Sequence, residues 1–153
     1  MFRTDLLSIV RSPNTVFTAT GIILQKRIIR IITNKGKHDS CRQLFKTLQI
    51  LTVPSQYIFS LLVFVTKNRG QFVSNSDIHD INTRYNFSLH LPSTDLTLVQ
   101  KGVHYSESKA FNHLPKNIKI LSHDLKRFKS VLKCFLIEHT FYSIEEYYQF
   151  TTD

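Results

Sequence analysis

The sequence predicts a mainly α fold: a single helical domain with an irregular middle segment and at most one short β-hairpin. Three observations carry this. Apolar residues recur at helical spacing on both sides of the middle, most clearly in "SHDLKRFKSVLKCFLIEHT", where Leu125, Phe128, Leu132, Phe135 and Leu136 form one stripe. Only 4 Gly and 4 Pro punctuate the chain. Its 153 residues, 42% of them hydrophobic, suffice for one domain with a real core.

Taken in order, "DLLSIVR" (Asp5 to Arg11) predicts a short helix stopped by Pro13. Asn14 can cap a longer helix running to about Thr33. There Leu24, Ile28, Ile31 and Ile32 share one face, and Lys26, Arg27 and Arg30 fall roughly opposite. The expectation is an apolar face on the core and a cationic stripe outside. "TNKGKHD" reads as a turn, with Gly36 free to take positive φ.

"SCRQLFKTLQI" opens with a capping box, Ser40 and Gln43, above an apolar face of Leu44, Phe45 and Leu48. "LTVPSQYIFSLLVFVTKNRGQ" begins a third long helix, with Pro54 in its first turn and Gly70 as its end. It is apolar nearly all round, which places it at the centre of the core.

Residues 71–103 lack a sustained helical period. "FSLHL" and "LTLVQ" alternate and can form two short strands. Within this middle lies a polar island, "NSDIHDINTRYN", Asn75 to Asn86. Asp80, Asn82 and Thr83 suit a turn-rich backbone, so the island reads as chiefly architectural. "SESKAFNHLP" predicts a helix ended by Pro115, and "PKNIKIL" one more turn. Ser122 is the expected cap of the last long helix, and "SIEEYYQF" closes with a second capping box, Ser143 and Glu146.

Composition narrows function. Lys and Arg number 20 against 11 acids, a net +9 that favours polyanionic partners. Residues 1–53 hold 9 bases and 2 acids, whereas residues 122–153 hold 4 and 5, so the basic end is the N-terminal third. The two cysteines, Cys41 and Cys134, are no disulfide framework and point to a reducing, intracellular compartment. The sequence does not choose between nucleus and cytoplasm. No apolar run approaches the ~18 residues of a membrane helix, so no membrane partner is expected.

Catalytic and cofactor motifs are missing. Asp77 and Asp80 are a D-x-x-D pair without a third carboxylate, a poor site for divalent metals and a good pair of loop caps. There is no Gly-rich phosphate loop, no H-E-x-x-H and no nucleophile elbow. His38 with Cys41, and Cys134 with His139, have the residue types of a zinc site, but such spacing arises by chance among 7 His. No metal and no cofactor are expected.

The order of five segments adds a resemblance. "LQKRIIRIIT", "DSCRQLFKTLQILTVPSQYI", "NSDIHDINTR", "FNHLPKNIK" and "FKSVLKCFLIEHTFYSIEEYY" follow one another as in the C-terminal tail of a reverse transcriptase polyprotein. The family resembled is that of jockey-like non-LTR retrotransposons. The resemblance covers about Leu24 to Tyr148. It implies a reverse-transcriptase C-terminal-like helical domain over residues 24–150, preceded by an unrelated or divergent extension over residues 1–23. It implies a retrotransposon-derived fragment from beyond the palm, thumb-like in kind and without enzymatic activity, because the palm's paired aspartates have no counterpart here.

A thumb packs helices against a nucleic-acid duplex. The resemblance therefore implies RNA or DNA backbone contacts by Lys26, Arg27 and Arg30, extended by Lys35, Lys37, Arg42 and Lys46. Arg84 is the one contact expected from the island. The alternative is a remnant with no independent activity, or a protein-interaction module. Its partners would be other segments of the parent polyprotein, or a second copy through apolar surface exposed around Tyr57, Phe59 and Phe64.

Overall fold

A computed structural model describes residues 16–78, 88–91 and 103–150, without side-chain placement at 16–19, 76–77 and 103–104. The fold is mainly α. Its helices are α1 (Val16–Ile32), α2 (Arg42–Thr47), α3 (Val53–Lys67), α4 (Asn75–Ile78), α5 (Val103–His113), α6 (Lys116–Lys119), α7 (Leu125–His139) and α8 (Ile144–Gln149). Single 3₁₀ turns cover Arg69–Gln71 and Ile120–His123. Among the described residues there is no strand. The β signal of "FSLHL" survives as one isolated antiparallel bridge between Ser74 and Leu89. "LTLVQ", the helix expected at Asp5 to Arg11 and the island beyond Ile78 lie outside the described residues.

The described chain divides into two compact units, one of residues 16–59 and 130–150, the other of residues 60–129. The division falls within α3 and α7.

In the first unit, Ile29, Cys41 and Phe45 are buried together, with Leu44 and Tyr142 packed against them. The C-terminal part of α7 and the chain after it add an aromatic cluster. His139 lies 4.6 Å from Phe135 and 4.3 Å from Phe150, ring centre to ring centre, and Phe141 meets Tyr147 edge-on at 5.5 Å. Two polar devices hold the entry to α3. The Thr52 hydroxyl, fully buried, donates to the Phe141 carbonyl and accepts from the Ser55 N–H. The Gln25 amide donates to the Leu51 carbonyl at 2.8 Å and accepts from the Val53 N–H at 3.0 Å.

In the second unit, Leu61, Leu62 and Val65 of α3, Phe111 and Ala110 of α5, Ile118 and Phe128 are buried. Residues 88–91 are fixed by Asn112. Its amide accepts from the Leu89 N–H and donates to the Leu89 carbonyl, both at 2.7 Å, so one side chain satisfies a backbone that has little sheet to join.

Several local expectations hold. Pro54 sits in the first turn of α3, and α5 ends at His113, ahead of Pro115. The Ser143 hydroxyl accepts from the Glu146 N–H at 3.0 Å, and Glu146 reaches back to the Tyr142 N–H at 2.7 Å. The stripe of α7 is buried as expected at Phe128, Leu132, Phe135 and Leu136.

Others are corrected. The cap residue of α2 is Cys41, with no side-chain cap bond, so Ser40 and Gln43 form no box. At α7 the cap is Asp124 rather than Ser122, its carboxylate accepting from the N–H groups of Lys126 and Arg127. α3 stops at Lys67, and Gly70, expected to end it, lies in the 3₁₀ turn that follows. Neither Gly36 nor Gly70 takes positive φ. Asn34 does, at φ 52°, and the Lys35 N–H reaches back to the Arg30 carbonyl at 2.9 Å. This is a Schellman stop, and Asn is the residue after glycine best suited to it. Gln49, at φ 55°, stops α2 in the same way, with Ile50 bonded back to Phe45.

Candidate nucleic-acid interface

The largest correction concerns α1. Leu24, Ile28, Ile31 and Ile32, expected on the core, are 52–70% exposed, as is Ile23. The buried residues are Ile22 and Ile29, on the side that also carries Gln25, Lys26 and Arg30. The expected outer stripe is therefore split. Lys26 and Arg30 face inward and only Arg27 faces out.

The cause lies in partners far away in sequence. The Lys26 ammonium stands 3.6 Å above the centre of the Tyr142 ring. Arg30 donates twice to the Asp39 carbonyl, at 3.0 and 2.9 Å. Gln25 clamps residues 51–53. Each polar head on this side is satisfied, and the Lys and Arg stems add apolar cover, so burying the side costs little. Turning the helix the other way would break these contacts and uncover Ile29 above Cys41 and Phe45.

Arg42 is also occupied. Its guanidinium meets Glu146 at 2.7 Å and lies 4.8 Å from the Tyr142 ring centre. The structure thus brings Lys26, Arg42 and Glu146 together around one tyrosine. Burial pushes the Tyr142 phenol up, Cys41 adds to the effect, and Arg42 opposes it. Lys46 is half-buried, in reach of His139, whose imidazole is pushed down by burial first and by Lys46 as a lesser cause, against Glu138.

Lys35 and Lys37 are exposed in the turn after α1. Lys35 lines a cleft of about 320 Å³ with Asp39, Ser40, Gln43 and Leu44. Asp39 is held there by the Gly36 N–H at 2.8 Å. Arg84 lies outside the described residues. Of the eight expected contacts, Arg27, Lys35 and Lys37 remain exposed with no ion-pair partner among the described residues.

A cationic face unrecognised in the sequence lies on α7. Lys126, Lys129 and Lys133 follow at spacings of three and four, all exposed, with no ion-pair partner among the described residues. They form one line along the helix, beside the buried stripe. Arg127, beside them, pairs loosely with Asp124 at 3.5 Å. The signal was present in "KRFKSVLK". A charge tally over residues 122–153 hides it, because the acids of that segment lie mostly elsewhere.

Cys41 is buried against the Lys26 and Asp39 carbonyls, whereas Cys134 is exposed on α7. No group of three or more metal-ligating side chains occurs among the described residues. No described helix is long and apolar enough to cross a membrane. Compared with protein-family models, curated proteins and solved structures, the chain matches none.

Proposed function

We infer that this chain is a non-catalytic module, derived from the tail of a retrotransposon polymerase, that holds RNA or DNA by its backbone. The observation that carries the binding part is the lysine line of α7. The order of the five sequence segments supports the origin. Three lysines at about 4.5 and 6 Å along one helix axis present a row of charge with no ion-pair partner among the described residues. Such a row neutralises successive phosphates without reading bases. The exposed Arg27, Lys35 and Lys37 add charge of the same sign. Lys26, Arg30 and Arg42 leave the proposed contact set, because their heads are already engaged.

The test is a titration against a labelled structured RNA at ~50 and ~200 mM salt. Three phosphate contacts predict that the fourfold rise in salt costs roughly 20–40-fold in affinity through those contacts alone. The triple variant Lys126→Gln, Lys129→Gln, Lys133→Gln should lose that dependence and still melt like the parent. A triple variant with the parent's affinity and salt slope would discard the reading.

A further inference from the structure

We propose that the outward face of α1 is a docking surface for an amphipathic helix of another protein whose flanks are acidic. The face belongs to residues that the cores of the described residues leave exposed. Ile23, Leu24, Ile28, Ile31 and Ile32 are each at least half exposed, and at about 100 Å² per aliphatic side chain they offer on the order of 500 Å² of apolar surface. That is at the upper end of what a monomer leaves bare.

The pattern selects the occupant. Leu24, Ile28 and Ile31 stand at spacings of four and three, the seam on which a second helix seats its side chains. The five residues of the face are aliphatic and four of them are β-branched isoleucines, side chains that interlock well with a second helix. Arg27 lies beside the seam, exposed, and Lys35 and Lys37 follow the helix end. These charges complement glutamates or aspartates flanking the seam of the incoming helix. They disfavour a second copy, because symmetric pairing sets like charges against one another in a chain of net +9. The surface uses none of the α7 lysines that carry the proposed nucleic-acid contact, and shares with it only the supporting charges of Arg27, Lys35 and Lys37.

The probe is a dye-labelled helical peptide of about three heptads with Leu at both seam positions and Glu on both flanks. It is titrated into the full chain and followed by anisotropy, beside a peptide identical but for Lys flanks. The expected result is saturable one-to-one binding of the Glu peptide, at least about tenfold tighter than the Lys peptide. Ile28→Glu should abolish it. Arg27→Glu should reverse the preference between the two peptides. Both substituted residues are exposed, so both variants should melt like the parent. Three results would overturn the proposal. One is absent or equal binding of the two peptides. Another is a dimer of the chain alone, seen by sedimentation and lost in Ile28→Glu, which the Glu peptide does not compete away. The third is adsorption to anionic phosphatidylserine vesicles through the same residues without peptide binding.

Discussion

Helices α1 and α7 are both amphipathic by sequence, yet one follows its pattern and the other turns its back on it. In α7, apolar and charged residues separate cleanly, and the helix buries Phe128, Leu132, Phe135 and Leu136 while its lysines point away. In α1, aliphatic residues occur nearly all round, and the polar residues of one side have distant partners: Tyr142, the Asp39 carbonyl and the Leu51–Val53 backbone. Periodicity fixes rotation only where one side alone is apolar. Where both are, satisfied polar groups decide which side is buried.

The sharpest break of this comparison is by truncation. Phe128→Ala should cost ~3–5 kcal/mol, because its ring is wholly buried. Ile29→Ala should cost ~2–4 kcal/mol for the same reason. Ile31→Ala, on the face that the sequence places inside, should stay within about 0.5 kcal/mol. Urea denaturation of the three variants measures this. A loss at Ile31 as large as that at Ile29 would restore the sequence-based orientation.

The next effect separates the buried charge of the second unit from the paired charges of the first. Burial pushes the Glu107 carboxyl up from 4.5 to about 7. The folded state then holds its proton at pH values where the unfolded chain has released it. Stability contributed by the neutral form is full below about 4.5 and falls as pH rises toward 7, by up to ~1.4 kcal/mol per unit. Thermal melts between pH 4.5 and 7 should show this slope, and Glu107→Gln should flatten it.

Capping gives a smaller contrast. Ser143→Ala should cost ~1 kcal/mol, since its hydroxyl holds the Glu146 N–H, whereas Ser40→Ala should be near neutral. Both serines carry the same S-x-x-E/Q signature. At Ser143 the helix starts where the signature says. At Ser40 the chain is already tied by Arg30 to the neighbouring Asp39 carbonyl, and the helix opens one residue later at Cys41.

This marks how far the sequence can be read. The helical class, α3, α5 and α7 follow from spacing, Pro54 and Pro115, all of them local signals. The left-handed stops at Asn34 and Gln49 are local but fall on residues other than glycine, so no glycine marks them, whereas the rotation of α1 and the Asn112 clasp on Leu89 depend on groups up to 116 positions distant in the chain, which no window contains. The candidate interface divides in the same way. Charge predicts that lysines and arginines matter. Only the fold distinguishes Lys26, held over an aromatic ring, from Lys129, held by nothing described.

The smallest prediction concerns the start of α7, where one carboxylate serves two roles. Asp124 accepts from the Lys126 and Arg127 N–H groups and also lies 3.5 Å from the Arg127 guanidinium, with both side chains more than half exposed. An exposed pair of this kind contributes a few tenths of a kcal/mol or less, and the cap about 1 kcal/mol. Asp124→Asn keeps an acceptor oxygen and removes the charge, so its cost should stay near the smaller figure and vanish at high salt. Asp124→Ala removes both and should cost about 1 kcal/mol at any salt. If Asn were as damaging as Ala, the charge at the helix N-terminus would be the stabilising feature. The lysine line would then depend on Asp124 for its own placement.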